Sequence, residues 1–317
     1  MKNISLRFQW FWQDFIPNRN FLVDFLESEG YKVEIITDRK AKVDVEFVSV
    51  FPPFKRKVNE KIQRWKKREA IGFDDVAEKY SLEKYPDTSN FDKRIWLTGE
   101  NLRPPLMQNY DSFLSYDQDS FGGRNAYLPI WYFDVDFFGR GVHNRAGPNI
   151  NVNQLTSSRN VNELKENFAV SFIGNPHPIR MEAIRTFQEI KEVKLYGSAV
   201  KRPVATKIEL AKNSIFSFCF ENDLYPGYVT EKIIEAFACG NIPLYWGLFG
   251  GDSDFNKESY LNLSDFKTLH HYRDYILALK QSDLLAIANE PLLIRKPDLS
   301  RIFEIITGRT PNHYVPE

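Results

Sequence analysis

An alternation of strand-like and helix-like segments between residues 168 and 247 is the feature that most constrains the fold of this chain. The apolar runs FAVSFIGN (168–175) and SIFSFCFEN (214–222) are typical of buried strands, whereas MEAIRTFQEIK (181–191) and TEKIIEAFAC (230–239) have apolar residues at helical spacing. Strands that alternate with helices lie parallel in one sheet, because each helix crosses back over the sheet between two strands. The pattern therefore predicts a doubly wound α/β domain.

The first half of the chain has a similar but less regular pattern. Residues 4–51 predict a strand, a helix and two further strands, in the segments ISLRFQW, NFLVDFLESEG, YKVEIITD and VDVEFVSVF. Three later segments, RIWLTGEN (94–101), SFLSYD (112–117) and AYLPIWYF (126–133), predict three more strands. This half therefore also indicates an α/β arrangement.

The texture of the sequence changes between Gly139 and Lys165, a stretch rich in Gly, Asn, Ser and Pro without a clear period. Such a stretch is typical of a loop or linker. The 317 residues are enough for two domains of roughly 150 residues each. We therefore expect one domain in residues 1–150 and a second in residues 151–317, the latter including the helical pattern near the C-terminus.

The composition argues against several classes of protein. Lys plus Arg and Asp plus Glu both total 42, whereas a protein that binds nucleic acid usually carries an excess of basic residues. The two cysteines, Cys219 and Cys239, lie in apolar segments and fit a reducing compartment better than a disulfide scaffold. No apolar run reaches 18 residues, and the N-terminal segment lacks a cleavage signal. We therefore expect a cytoplasmic protein without a nucleic-acid partner.

One basic stretch keeps a contact with membranes open as an alternative. KRKVNEKIQRWKKREA (55–70) has Val58, Ile62 and Trp65 at helical spacing and many basic residues between them. Such a stretch is most often a solvated helix face, but it also suits a peripheral contact with anionic lipid at the inner membrane, or an anionic glycan.

Two loops of the second half follow strands and carry the residues best suited to bind a ligand: GNPHPIR (174–180) and ENDLYPGYVTEK (221–232). In parallel sheets, ligands bind beyond the carboxyl ends of the strands. Thr230 is a good N-cap for the helix that begins near Glu231, and the start of a helix attracts phosphate. Lys232 adds a full positive charge at the same place, and Glu231 is placed to accept hydrogen bonds from sugar hydroxyls.

The segment FENDLYPGYVTEKIIEAFACGNIPLYWG (220–247) resembles the donor-binding signature of the α-1,3-fucosyltransferase family, glycosyltransferase family 10, in its bacterial form. Downstream, DFNKESYLNLSDF (254–266) is similar to the segment that follows this signature in the family. Upstream, NPHPIR (175–180) resembles an Asn-Pro-x-x-x-Ile-Arg stretch and LTGEN (97–101) a Thr-Gly-Glu-Asn turn of the family. The resemblance covers residues 94 to 266 in order.

This resemblance implies a GT-B architecture, in which two Rossmann-like domains face each other across a cleft. The N-terminal domain would hold the acceptor and the C-terminal domain GDP-fucose. The resemblance also implies a role for each matching residue: Glu100 as catalytic base, Arg180 and Lys232 as pyrophosphate contacts, and Tyr228, Glu231, Asn222, Asn175 and Thr230 around the donor. Glu231 would either offset the charge that develops on the fucose ring or bind the ribose.

The chemistry of an inverting glycosyl transfer agrees with these roles. A carboxylate must remove the proton of the acceptor hydroxyl on one face of the sugar, and cations must stabilise the departing phosphate on the other. Taken without the resemblance, Glu100 is better explained as a turn carboxylate that caps Asn101 or pairs with Arg103. Arg180 is then equally well explained by a solvated helix start, and Tyr228 and Asn222 by packing or capping in the loop.

A metal site is not expected. Three Asp-x-Asp pairs occur, at Asp117/Asp119, Asp134/Asp136 and Asp252/Asp254, but about one is expected by chance and the family uses protein cations instead. His270 and His271 are adjacent and point in different directions on a helix, so they make a poor pair of ligands. We expect no required cofactor, with a divalent cation at most stimulatory.

The sequence as a whole thus predicts an inverting transferase that moves L-fucose from GDP-β-L-fucose to an oligosaccharide acceptor. The accepting hydroxyl belongs to an N-acetylglucosamine-type or glucose-type sugar, the linkage is α-1,3 or α-1,4, and the product is a surface glycan. Two alternatives remain: a GT-B transferase that uses another nucleotide sugar, and a non-catalytic glycan-binding protein.

Overall fold

Two parallel β-sheets organise the chain, one in each of two structural units. The computed structural model describes residues 2–51, 90–142, 149–204, 206–251 and 253–311. The basic stretch 55–70 lies outside the described residues. None of the helices within them is long and apolar enough to cross a membrane.

The first unit contains a six-stranded sheet in the order β2-β1-β3-β4-β5-β6, in which every neighbouring pair is parallel. Its elements are β1 (Lys2–Gln9), α1 (Phe21–Ser28), β2 (Tyr31–Ile35), β3 (Lys42–Val48), β4 (Asn90–Leu97), β5 (Ser112–Ser115) and β6 (Asn125–Tyr127). The predicted order of strand, helix, strand and strand over the first 50 residues is confirmed.

The helix α1 shows why the local sequence forms these elements. The side chain of Asn20 accepts hydrogen bonds from the backbone N–H groups of Leu22 and Val23, which caps the helix start. The helix buries Phe25 and Leu26 completely and gives way to Gly30 at φ +85°, a conformation that suits glycine.

The second half of AYLPIWYF is not a strand. The strand β6 ends at Tyr127, and Ile130–Asp134 form a 3-10 helix instead. Trp131, Tyr132 and Phe133 are buried, so this run is apolar because it packs in the interior. Periodicity cannot separate a short buried strand from a short buried helix.

The predicted division at residue 150 also needs correction. The units part between Ile130 and Trp131, and the segment from Asp298 belongs to the first unit. A helix in this segment, α8 (Ser300–Thr307), buries Ile302, Phe303, Ile305 and Ile306, and packs against β5 and β6. The ring of Phe303 lies 5.7 Å from that of Phe25. The sequence predicted a helix here, but it did not show that the first unit covers the apolar face of this helix.

The second unit contains a five-stranded parallel sheet in the order β11-β10-β9-β7-β8. Its strands are β7 (Asn167–Phe172), β8 (Val193–Tyr196), β9 (Ser214–Phe220), β10 (Ile242–Trp246) and β11 (Leu261–Asn262). Its helices are α2 (Val152–Leu155), α3 (Pro178–Gln188), α4 (Ile208–Ala211), α5 (Glu231–Ala238), α6 (Leu269–Ala278) and α7 (Gln281–Asn289). The predicted alternation of strands and helices is confirmed, although α4 is one turn long.

The helix α5 is held firmly at its C-terminal end. Arg159 donates to the carbonyl oxygens of Phe237 and Asn241, at 3.1 and 2.8 Å, and Lys165 donates to that of Cys239 at 2.9 Å. Cations at this end satisfy carbonyls that the helix leaves unpaired and oppose its dipole. Both side chains come from the stretch that was predicted to be a linker. From residue 149 onwards, this stretch includes the helix α2 and packs against the second unit.

Candidate functional site

A pocket of about 480 Å³ opens at the carboxyl ends of β7, β8 and β9 in the second unit and extends along α5 as far as Cys239 and Asn241. It is lined by residues that end or follow these strands, among them Ile173, Gly197 and Asn222. The starts of α3 and α5 face the same space, because Arg180 and Lys232 in their first turns also line it. This is the edge of a parallel sheet at which nucleotides bind.

A glycine allows the chain to turn at the end of β8. Gly197 has φ +112°, and a Cβ atom there would lie 2.4 Å from the carbonyl oxygen of Ile173. Any other residue at this position would have to displace the backbone of Ile173, which directly follows β7. Gly197 thereby brings the segments after β7 and β8 together at the floor of the pocket.

Arg180 joins the two loops that the sequence analysis singled out. Its buried guanidinium donates to the carbonyl oxygens of Asn175 and Phe220, and lies 3.3 Å from both the carbonyl oxygen of Glu221 and Oδ1 of Asn222. Burial lowers the pKa of Arg180, and the neighbouring carboxylate of Glu221 opposes the shift. Arg180 therefore fixes the loop after β7 to the loop after β9, in addition to lining the pocket.

Lys232 places a positive charge at the start of α5. Its Nζ atom lies 2.8 Å from Oγ1 of Thr230, 3.3 Å from Oε2 of Glu221 and 3.7 Å from Oε1 of Glu231. Burial lowers the pKa of Lys232, but the carboxylates of Glu221 and Glu231 raise it more, so the net shift is upward. The side chain is thus a stable cation at neutral pH.

Glu221 is a site residue that the sequence analysis missed. Its side chain is fully buried and accepts hydrogen bonds from the backbone N–H of Thr230 at 2.8 Å, the Thr230 hydroxyl at 2.7 Å and the Tyr245 hydroxyl at 3.2 Å. With Lys232, it therefore meets four donors. A glutamate that directly follows a buried apolar strand is unusual, because Glu is rarely buried without partners. That signal was available in the sequence.

Thr230 occupies the predicted N-cap position of α5, but its side chain makes no capping hydrogen bond to the helix. Its hydroxyl donates to Glu221 instead. Thr230 is thus the N-cap residue, as predicted, but its hydroxyl does not form the usual capping bond. The start of a helix such as α5 favours an anionic ligand through its dipole.

The remaining predicted donor-site residues divide into two groups. Asn175, Asn222 and Glu231 line the pocket together with Arg180 and Lys232. Tyr228 and Thr230 are each 3% exposed and lie within the loop before α5. Their proximity to the pocket is clear, but their direct contact with a donor stays a prediction.

Glu100 belongs to the first unit, in the turn that follows β4. It is exposed, its N–H donates to Oγ1 of Thr98 at 3.0 Å, and its carbonyl oxygen accepts a hydrogen bond from Leu102 at 2.7 Å. A Cβ atom at Gly99 would lie 2.6 Å from a side-chain carbon of Ile130, so this turn requires glycine. The guanidinium of Arg103 pairs with Asp117 at 2.8 Å.

Three carboxylates of the Asp-x-Asp pairs, those of Asp117, Asp136 and Asp254, have structural partners. The carboxylate of Asp117 also accepts the N–H of Asp119, Asp136 accepts those of Phe138 and Arg140, and Asp254 pairs with Arg295 at 2.7 Å. Asp252 lies outside the described residues. Within the described part of the chain, no group of three or more His, Cys, Asp or Glu side chains is arranged to hold a metal ion.

The sequence is similar to those of known fucosyltransferases. Residues 162–285 match the profile of the family described as glycosyltransferase family 10 (fucosyltransferase) C-term. Over 208 residues, the chain is 31% identical to the alpha-(1,3)-fucosyltransferase FucT of Helicobacter pylori, a match that covers 58% of this chain and 43% of that protein. Over 103 residues, it is 28% identical to the human 4-galactosyl-N-acetylglucosaminide 3-alpha-L-fucosyltransferase 9, covering 32% and 27%. The chain thus spans less than half the length of these relatives.

Solved structures of an α1,3-fucosyltransferase have a similar fold. One aligns with a TM-score of 0.65 at 22% identity and covers 99% of this chain and 92% of that one. A complex with GDP-fucose aligns with a TM-score of 0.64 at 21% identity, covering 99% and 93%. This likeness shows the fold, and the predicted α/β class of GT-B type is confirmed.

Proposed function

Because residues 162–285 match the profile of glycosyltransferase family 10, we propose that the chain is a member of this family and transfers L-fucose from GDP-β-L-fucose to an oligosaccharide acceptor. The accepting hydroxyl would belong to an N-acetylglucosamine-type or glucose-type sugar and the linkage would be α-1,3 or α-1,4. The observation that carries the proposal is the cationic pocket, in which Arg180, Lys232 and the start of α5 meet at the nucleotide-binding edge of a parallel sheet.

In this proposal, the pocket stabilises the leaving group, GDP. When the bond between C1 of fucose and the β-phosphate oxygen breaks, negative charge develops on GDP. Lys232 and the N–H groups at the start of α5 are fixed in place beforehand, so they stabilise this charge without reorganising. One such contact contributes ~2–4 kcal/mol to lowering the barrier.

Glu100 is proposed as the general base. Its carboxylate takes the proton of the acceptor hydroxyl while the hydroxyl oxygen attacks C1 of fucose from the face opposite GDP. A single displacement of this kind converts the β donor into an α product. Glu231, at the start of α5, is proposed either to offset positive charge on the fucose ring or to bind the ribose.

We further propose that the acceptors are precursors of bacterial surface glycans and that the reaction takes place in the cytoplasm. The relative from Helicobacter pylori supports a bacterial setting. Cys219 and Cys239 are buried free thiols, which fits a reducing compartment.

The test is to incubate the protein with GDP-fucose and N-acetyllactosamine, and to determine product linkage and configuration by NMR. The expected product carries α-linked fucose. Glu100→Gln should lower kcat by about 100-fold or more, with GDP affinity unchanged. Glu34→Gln, an exposed carboxylate on β2, is the matched control and should retain full activity.

Other outcomes would contradict the proposal in distinct ways. Full turnover by Glu100→Gln would remove this residue as the base. Transfer from a UDP sugar, but not from GDP-fucose, would favour a different GT-B transferase. Binding of the oligosaccharide without any transfer would favour a glycan-binding protein.

A further inference from the structure

We propose that Glu235 and Lys207 form the base-recognition end of the pocket and that together they select guanine. The inference rests on the proposed function, since it concerns the nucleotide of the same donor. It assigns the selectivity for the base to two residues that the sequence motifs did not single out.

Both residues line the same pocket as Arg180 and Lys232. Glu235 lies on α5, four residues after Glu231, and its Oε2 atom is 2.5 Å from Nζ of Lys207. The two side chains are 14% and 32% exposed. Removing a pair of charges from water is costly, so an ion pair of this kind is weak support for stability alone. Because the ion pair lines the pocket, we infer that it contacts a ligand there.

The hydrogen-bonding groups of this pair complement one edge of guanine. The Watson–Crick edge of guanine has two neighbouring donors, N1–H and the 2-amino group, beside the acceptor O6. A carboxylate accepts two hydrogen bonds and an ammonium donates, so Glu235 can take both donors while Lys207 binds O6. Adenine has an acceptor at N1 and no 2-amino group. It would place a lone pair against the carboxylate.

The dimensions of the pocket suit this arrangement. Strands β8 and β9 are separated by β7, so the pocket spans two strand spacings, about 10 Å. Glu235 lies three residues beyond Lys232, which is about 4.5 Å along the helix axis. The proposal places the diphosphate at the start of α5 and the base towards Lys207, which directly precedes α4.

Apolar side chains line the same pocket as Glu235 and Lys207, and a flat purine ring requires such neighbours. Phe172, Pro203 and Val204 line the same pocket. The Nζ atom of Lys207 lies 5.9 Å from the centre of the Phe172 ring. Burial raises the pKa of Glu235, and the neighbouring Lys207 opposes this shift.

The test compares the binding of GDP with that of inosine diphosphate, which lacks only the 2-amino group, by titration calorimetry. The protein should prefer GDP by about tenfold or more. Glu235→Gln should weaken GDP binding and bring the two affinities to within about twofold. Lys207→Met should instead weaken both ligands by the same factor, because both contain O6.

Glu209→Gln is the matched control. This carboxylate lies on the neighbouring helix α4, is 66% exposed and pairs with Lys212, so the preference for GDP should not change. The proposal is overturned if the unmodified protein does not distinguish the two ligands, or if Glu235→Gln keeps the full preference. If Glu235→Gln does not fold, Lys207→Met decides: unchanged affinities overturn the proposal. A protein that binds UDP but not GDP would instead refute the proposed function.

Discussion

The ammonium group of Lys232 lies 3.3 Å from a carboxylate oxygen of Glu221, a side chain with no solvent exposure. The same carboxylate binds the backbone and the hydroxyl of Thr230, immediately before α5. One buried acceptor therefore holds both the start of the helix and the cation that follows it. In the proposed function, this contact provides the preorganisation on which stabilisation of the leaving group depends.

Replacing Glu221 by Gln should loosen this arrangement. Lys232 loses its nearest buried counter-charge, so we expect a loss of about 1–3 kcal/mol in the free energy of unfolding, less than for a fully buried pair because Lys232 is partly exposed. The KM for GDP-fucose should rise about tenfold. Chemical denaturation and steady-state kinetics measure the two effects.

Tyr245→Phe, which removes one hydrogen bond to Glu221, is the control and should lower the free energy of unfolding by only about 1 kcal/mol and leave KM unchanged. Wild-type KM in Glu221→Gln would show that Lys232 holds its position without this carboxylate.

Replacing Lys232 by Met should weaken nucleotide binding more than folding. Its ammonium is proposed to contact the diphosphate, so GDP affinity should fall about 10- to 100-fold and the dependence of binding on ionic strength should decrease. Calorimetric titrations at two salt concentrations measure both. Lys212→Met, at an exposed lysine of the same unit, should behave like the unmodified protein. Equal GDP affinity in Lys232→Met and the unmodified protein would exclude this lysine from the phosphate site.

Removal of divalent cations should leave donor binding intact. The charges proposed to neutralise the diphosphate come from Arg180, Lys232 and the start of α5, and the described part of the chain contains no cluster of metal ligands. GDP affinity measured with EDTA should therefore agree within about twofold with that measured with Mg²⁺. Loss of binding in EDTA would mean that a cation bridges protein and phosphate.

Lys165 should make stability depend on pH above neutrality. Burial and the charge of Arg159 lower its pKa from 10.5 to about 8. Between these values, the unfolded chain binds more protons than the folded one, so this residue contributes stability that increases as the pH rises from 8 to 10.5. Lys165→Met should lack this contribution.

The measurement for Lys165 is the difference in unfolding free energy between the variant and the unmodified protein at several pH values. Between pH 8 and 10.5, the unfolding free energy of the unmodified protein should increase relative to that of Lys165→Met. Lys212→Met, at an exposed site, should run parallel to the unmodified protein. Parallel curves for Lys165→Met would show that the ammonium is solvated.

Much of the second unit could be predicted because its signals are local. The strand β9, the loop after it and the helix α5 follow one another within residues 214–238, so period and turn residues alone identify them. Arg180, Asn222 and Lys232 were named for the same reason, since each lies in a loop that follows a strand or in the first turn of the helix after it, and all three line the pocket. The connection of these loops through Arg180 was not predictable, because its partners lie about 40 residues away.

By itself, the sequence determined the class of the fold, the order of most elements and the loops that form the pocket. These depend on hydrophobic period and on residues with special backbone preferences, which act over a few neighbours. Only the tertiary structure decided that α8 completes the first unit, that the Thr230 hydroxyl serves Glu221 rather than its own helix, and that Lys207 meets Glu235. Each of these depends on which distant groups are buried together, because a buried polar or apolar group takes whichever partner the packing brings within reach.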